Sequence, residues 1–446
     1  MSSKAEQLKA EIQQKVREYY ALVHEPEQNK LFVAGESRLG CAGRVFDEDE
    51  MTNLVDSALE FWLTHGKYTK KFESALEKAI KVRHAFIVNS GSSANLLAFS
   101  ALTSPTLGAR QVRRGDEIIT VAAGFPTTIA PAVQYGAVPV FVDISLGDYN
   151  IDVSQLEQAL SPRSKAVMLA HTLGNPFNIG EVKSFCDKHG LWLIEDNCDA
   201  LGSLYQGKFT GTFGDIGTSS FYPAHHITTG EGGAVYTRDK NLRKIMLSLL
   251  NWGRDCWCDS GKDNTCGIRF EHELGSLPKG YDHKYIYSHF GFNFKATDMQ
   301  SAIGLAQLTK LEAFGQARRA NFATLYECLK PLENHFILPH ATEGSDPSWF
   351  GFLLTVRDGS PVQRNVLVQA LEAQNIQTRN LFAGNLLRHP CFDPLEAGKD
   401  YRVIGALANT EKVMMDTFWV GLYPGLNAEK MKFIGHAIAR HVGTVV

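Results

Sequence analysis

The 446 residues are 44% hydrophobic and 21% charged with a formal net charge of −3, enough apolar material for a large core and two or three domains. So even a charge balance excludes a nucleic-acid or membrane-surface role driven by bulk electrostatics. No apolar run is long enough to span a bilayer, and the opening MSSKAEQLKAEIQQKVREYY is charged and helical in pattern, so a cytoplasmic protein with no membrane or nucleic-acid partner is expected.

Residues 1–50 read as an N-terminal helix followed by an irregular, glycine-punctuated stretch from about 27. Residues 51–80 read as helix, turn, helix, with the break at THGKYT. From residue 85 short β-rich runs alternate with helical ones. The strand candidates are AFIVNS, DEIITVAA, VPVFVDI, KAVMLAHT, LWLIEDNC, IGTSSFY and GGAVYT. Such alternation predicts a mostly parallel sheet covered on both faces. Residues 251–290 are polar, glycine-rich and aromatic and read as a long inserted loop, a length usually reserved for function or disorder. Residues 296–329 read as one long amphipathic helix. A smaller α/β region follows from about 345, with WFGFLLTV as a strand and PVQRNVLVQALEAQ as a helix. The division expected is 1–50, a large domain over 51–320 that carries the insert, and a small C-terminal domain over 321–446.

Four stretches carry chemistry. VNSGSSANLLAFSAL (88–102) puts Gly-Ser-Ser between a strand and a helix, which suits a phosphate or simply an N-capped helix. LWLIEDNCDALGS (191–203) ends an apolar strand in Glu195-Asp196, where α/β proteins bind ligands; a loop acid capping a helix is the plainer reading. SFYPAHHITTGEGGAVYT (220–237) presents His225 and His226 at a turn. Of eight cysteines, Cys256 and Cys258 form a C-x-C pair, Cys266 follows after seven residues, and Cys198 precedes Cys256 with 57 residues between them. In a reducing compartment this set suits metal or redox chemistry, as structural zinc, an iron–sulfur cluster, or scattered loop thiols; zinc pairs favour other spacings. If the insert folds back over the strand end, the four thiolates converge.

Together and in order, NSGSSANLL, ITVAAGFPTTIAPAVQYGAVPVFVDI, LIEDNCDALGS, SFYPAHHITTGEGGAVYT and FGFNFKATDMQSAIGLAQL resemble the sugar aminotransferase/dehydratase family of vitamin B6 enzymes, from about residue 50 to the C-terminus. The resemblance implies the aspartate-aminotransferase (fold type I) architecture, with a mixed, mostly parallel seven-stranded sheet and a smaller C-terminal α/β domain. It also implies a homodimer acting on a nucleotide-linked ketosugar. By motif, Gly91, Ser92 and Ser93 should hold the phosphate of pyridoxal or pyridoxamine 5′-phosphate, with a further contact from Ser220. Phe125 should stack on the pyridine ring, Asp196 should keep its nitrogen protonated, and Asn293 should reach the phosphate of the neighbouring subunit's cofactor.

The reactive position departs from the family's aminotransferases, which carry Ser-Phe-x-Pro-x-Lys there; SFYPAHH places His225 at the lysine position. Imidazole cannot anchor the cofactor covalently as lysine does, but with an unperturbed pKa of about 6.5 it can move protons near neutrality. Its presence fits a 3-dehydratase that holds pyridoxamine phosphate, or a catalytically dead relative; the intact phosphate and pyridine motifs favour the first. His226 reads as a structural neighbour. The spacing C-x57-C-x-C-x7-C, with FVAGES…GRVFDEDEM and FWLTHGKYTKKFE, resembles the family's CDP-6-deoxy-L-threo-D-glycero-4-hexulose-3-dehydrase group. That implies a [2Fe–2S] cluster on Cys198, Cys256, Cys258 and Cys266. It further implies a partner NADH-dependent flavin iron–sulfur reductase docking near 251–290, and a role in making 3,6-dideoxyhexoses for lipopolysaccharide. Cys41, Cys186, Cys328 and Cys391 read as structural. Arg379 or Arg388 would pair with the substrate diphosphate, with His171 at a nearby strand end; surface charge or core packing explains all three equally well. Competing expectations are a cluster-free dehydratase, a thymidine-linked 3-dehydrase, a conventional aminotransferase, and a non-catalytic electron-transfer or regulatory protein on the same scaffold.

Overall fold

The computed structural model describes residues 3–258 and 261–443; Asp259 and Ser260 of the insert lie outside the described residues. The seven expected strands all form and lie in one sheet, with an eighth added at its edge. Across the sheet the order is His84–Val88, Gly233–Thr237, Ile216–Ser220, Trp192–Asp196, Ser164–Ala170, Glu117–Val121, Val138–Val142, Arg402–Val403. Only Gly233–Thr237 runs antiparallel to its neighbours; the other pairings are parallel. The eighth strand has two residues, too short for an alternation signal. Arg402 pins it by donating from Nη2 to Glu117 Oε2 at 2.9 Å.

Neighbouring residues of one strand enter opposite cores, the period of two that buries both faces of a sheet. Ile118, Met168 and Ile194 pack on one side with the helices Gly91–Leu102 and Lys240–Leu250. Ile119, Val167, Leu169 and Leu193 pack on the other, against Ile179, Val182 and Phe185 of the helix Ile179–His189. Because Gly233–Thr237 reverses direction between its two neighbours, His84–Val88 and Ile216–Ser220 run the same way. The carboxyl ends of the strands that carry the motifs therefore share one edge of the sheet.

The long helix expected over 296–329 is two helices, Asp298–Thr309 and Leu311–Leu329. The Lys310 amide bonds the Gln307 carbonyl in a tighter turn, and Lys310 Nζ reaches Asp47 Oδ1 (2.9 Å) and Glu50 Oε1 (2.6 Å). Both halves keep helical periodicity, so the apolar pattern runs through a joint that tertiary ion pairs create. The second helix passes across residue 320, the expected domain boundary, and packs with Ala428–Val442 on a four-stranded antiparallel sheet centred on Gly351–Val356 and Thr417–Gly421. The N-terminal helix Ser3–Gln28 has no buried residue. The insert's described residues hold one short 3-10 turn, His283–Tyr285, and are tied down by Asp255 N–H to Ile286 O and by a two-point Arg269–Asp282 pair. Among the described residues no helix is long and apolar enough to cross a membrane.

Candidate active site

Ser90 caps the helix Gly91–Leu102 by accepting the Ser93 N–H at 3.0 Å. The first amides of a helix have no intrahelical acceptor, so Gly91 and Ser92 sit where an anion is favoured. Ser220, ending its strand, packs so closely on Gly91 that a Cβ there would overlap the Ser220 Cβ and crowd its Oγ. Gly91, Ser92, Ser93 and Ser220 thus form one cradle, which fits a phosphate. Asn293 is exposed beside it, in the segment where Asn89 N–H bonds Phe294 O and Val88 bridges Lys295. Burial and the Arg254 charge push the Lys295 ammonium down to about 8.

Asp196 is buried at its strand's end, and both carboxylate oxygens are fixed. Oδ2 accepts from Asn95 Nδ2 (2.7 Å) and Thr128 Oγ1 (2.6 Å), and Oδ1 accepts from Cys198 N–H (3.1 Å). Thr218 Oγ1 in turn donates to Asn95 Oδ1. A carboxylate clamped this way in the sheet edge suits a protonated ring nitrogen. Phe125 stands half-exposed as the residue before the helix Pro126–Tyr135, its ring edge-on to Phe382.

His225 lies in the turn after Ser220. Its Nδ1 is 3.2 Å from Asp199 Oδ1, off line for a hydrogen bond, and its ring is tilted against Phe350. Facing the carboxylate with Nδ1 leaves Nε2 as the nitrogen free for chemistry. His226 turns the other way: it is buried and donates from Nε2 to Ser348 O at 2.7 Å. Burial and the neighbouring Arg318 charge hold it well below the ordinary histidine range, so it stays neutral. Arg318 is itself buried and donates to the Trp349 and Phe350 carbonyls, burial pulling its guanidinium down to about 10.

Sequence reading missed Asn95, Thr128, Asp199 and Phe350. Asn95 was within reach, lying one helical turn beyond Gly91. Asp199 carried no signal beyond following Asp196, and Phe350 reaches the site only through tertiary packing.

The substrate-side expectations fare differently. His171 is fully buried, stacked on Phe177 with ring centroids 4.4 Å apart, and donates to Glu195 Oε2 at 3.0 Å. Glu195 also accepts from the amides of Gly211, Phe213 and Gly214. The pair braces the strand end and is closed to a sugar. Arg388 is ion-paired to Glu411 at 2.9 Å, while Arg379 donates to Thr378 O and is exposed.

The four nominated cysteines do not converge among the described residues. Cys256, Cys258 and Cys266 line one small cavity with His283. Cys198 lies outside it, its thiol pushed well above the ordinary range by burial and by the Asp196 and Asp199 carboxylates. The insert's own backbone bonds to 286–292 hold it compact. Against the pull of burial, hydrogen bonds from Thr265, Cys256 and the Cys266 amide hold Cys258 below its ordinary value; burial and Cys258 raise Cys256. A thiol poised towards thiolate in a cysteine-lined cavity suits a thiophilic metal group.

Comparison with known proteins bears on the same residues. The model of the DegT/DnrJ/EryC1/StrS aminotransferase family matches residues 45–439. The chain is 54% identical over 430 residues to the lipopolysaccharide biosynthesis protein RfbH of Salmonella typhimurium, covering 96% of this chain and 97% of that one. It is 51% identical over 427 residues to dTDP-4-dehydro-2,6-dideoxy-D-glucose 3-dehydratase of Saccharopolyspora spinosa, covering 96% and 90%. The solved structure of Escherichia coli GDP-4-keto-6-deoxy-D-mannose-3-dehydratase with bound hydrated pyridoxal phosphate superposes with a TM-score of 0.80 at 29% identity, covering 90% of this chain and 99% of that one.

Proposed function

The chain belongs to the DegT/DnrJ/EryC1/StrS aminotransferase family, and on that premise we propose that it is a pyridoxamine-phosphate-dependent 3-dehydrase of a CDP-linked 4-keto-6-deoxyhexose, coupled to electron transfer through an iron–sulfur cluster. The observation that carries the reading is His225, held beside Asp199 at the position where the family's aminotransferases place lysine. Relatives of both kinds named above as 3-dehydratases act on nucleotide-linked deoxyketosugars, and one is shown with pyridoxal phosphate.

When bound, pyridoxamine phosphate supplies an amine for the C4 ketone and a ring that takes up electron density as the C3 hydroxyl leaves. The rest falls to the chain. Gly91, Ser92, Ser93 and Ser220 hold the phosphate; Asp196, fixed by Asn95 and Thr128, holds a proton on the ring nitrogen; Phe125 covers the ring face. His225 moves the proton at Nε2 while Asp199 steadies its charged form at Nδ1. Asn293, exposed beside the cradle, would complete the phosphate site of a second copy in a homodimer. Cys256, Cys258 and Cys266 would hold the [2Fe–2S] cluster, with Cys198 as fourth ligand in a state where the insert closes on the strand end. An NADH-dependent flavin iron–sulfur reductase is the electron source of this proposal. The product would be a 3,6-dideoxyhexose precursor of the kind used in lipopolysaccharide.

The test is anaerobic incubation of the reconstituted protein with CDP- and dTDP-linked 4-keto-6-deoxyglucose plus reductant, followed by product analysis. The expected result is loss of the C3 hydroxyl to a CH2 group with the CDP sugar, and an iron–sulfur absorbance that Cys256→Ala removes. An amino sugar formed from glutamate, or a colourless protein after reconstitution, would overturn the corresponding half of the proposal.

A further inference from the structure

The insert holds a second arrangement that the four-cysteine pattern does not use. Cys266 offers its sulfur, and His272 and His283 each offer a ring nitrogen, with all three donor atoms within 4.8 Å of one another. The two imidazoles stack with centroids 3.7 Å apart, and the indole of Trp257 stands edge-on to both, fixing their planes. His283 is only 1% exposed and Nδ1 has no hydrogen-bond partner; Nε2 of His272 is likewise buried without one. A buried ring nitrogen without a partner is unfavourable unless something fills it. The other nitrogen of His283 is already committed, Nε2 donating to Asp255 Oδ2 at 2.8 Å. A carboxylate on the far nitrogen is the arrangement that sets the tautomer and raises the basicity of a metal-binding histidine. It leaves Nδ1 unprotonated, as a ligand must be.

We infer that Cys266, His272 and His283 form a mononuclear site for a divalent ion of the zinc class, to which Cys258, lining one cavity with Cys266 and His283, would be drawn in as fourth donor. Nitrogen and sulfur donors exclude magnesium and calcium. Zinc–nitrogen and zinc–sulfur bonds of about 2.0–2.3 Å put tetrahedral donors about 3.3–3.6 Å apart, so closing Cys266, His272 and His283 on the ion asks for a contraction of at most about 1.5 Å between them. The site stands apart from the dehydration chemistry, yet it takes Cys258 and Cys266 from the proposed cluster. One thiolate pair cannot serve both, so zinc in this site blocks assembly of the electron-transfer centre.

The test uses the full chain without an affinity tag, stripped of metal under anaerobic reducing conditions and titrated with Co2+. One equivalent should bind with the visible bands of tetrahedral cobalt and a thiolate charge-transfer band. His272→Ala and His283→Ala should each weaken binding by at least about a hundredfold, and Asp255→Asn, which leaves every ligand in place, by about tenfold or more. Cys198→Ala should leave the titration unchanged, and zinc-loaded wild-type protein should resist iron–sulfur reconstitution. Absence of a tetrahedral cobalt spectrum, binding indifferent to both histidines, or binding lost with Cys198 would overturn the inference. Reconstitution of the metal-free wild type reports on the cluster separately, so either idea can fail alone.

Discussion

Asp199→Asn probes whether His225 carries the reacting proton. Asp199 Oδ1 lies 3.2 Å from His225 Nδ1, with the two side chains 13% and 16% exposed. Unit charges at that separation attract by about 1.3 kcal/mol in water and about 5 kcal/mol at an effective dielectric constant of about 20. The site lies between those limits, and the asparagine dipole returns part of the loss. A rise of about 1.4–4 kcal/mol in the barrier corresponds to a fall of about 10- to 1000-fold in turnover. The assay is kcat and KM for dehydration by pyridoxamine-phosphate-loaded protein, with cofactor retention measured in parallel. We expect kcat to fall in that range while KM and retention hold within about twofold, and Asp199→Glu to restore part of the rate. Turnover within about twofold of the wild type would refute the reasoning. So would a raised KM at unchanged kcat, which would make Asp199 a substrate contact instead of a support for His225.

Three other outcomes follow from the same geometry. Gly91→Ala forces a methyl into Ser220, so the phosphate cradle should open and the cofactor should dissociate at least about tenfold faster, read by its absorbance after gel filtration. Thr128→Val removes the 2.6 Å hydrogen bond to Asp196 Oδ2, and kcat should fall about tenfold with circular dichroism unchanged. His226 is neutral in the folded protein, while the unfolded chain takes up its proton below about pH 6.5. The unfolded state then binds the extra proton, so this contribution to stability is complete above that pH and declines below it by up to about 1.4 kcal/mol per unit, until the depressed folded value is reached. Urea unfolding between pH 5 and 7 should show His226→Asn with a shallower decline than the wild type by about one proton.

The parts of this molecule legible in its sequence are those decided locally. Strand alternation is written in runs such as VPVFV, where every residue is buried, and in turn residues between them; seven strands were readable on that basis and all seven form. The break at Lys310 was not readable, because its cause is Asp47 and Glu50, some 260 positions away in the chain. The same division runs through the site. Gly91, Asp196, Ser220 and His225 announce themselves as motifs at strand ends, and the fold brings Gly91 against Ser220 and sets His225 beside Asp199. What orients them was hidden: Thr128 reaches Asp196 across the sheet, and Phe350 meets His225 from the residue just before the strand Gly351–Val356.

The cysteines show where local spacing stops deciding. C-x-C-x7-C closes within eleven residues, so the entropy of bringing those thiols together is small and the insert meets the requirement unaided. Cys198, separated from Cys256 by 57 residues, belongs to another element, and its approach depends on how the insert lies over the sheet edge. The insert's own hydrogen bonds hold it compact, and His272 and His283 bring ring nitrogens to within 4.8 Å of the Cys266 sulfur. A cluster on all four cysteines, as proposed, would therefore need Cys198 brought to the group around Cys266. Because the Cys198 amide bonds Asp196 Oδ1, that approach would set the proposed centre close to the carboxylate that faces the cofactor ring in the same proposal.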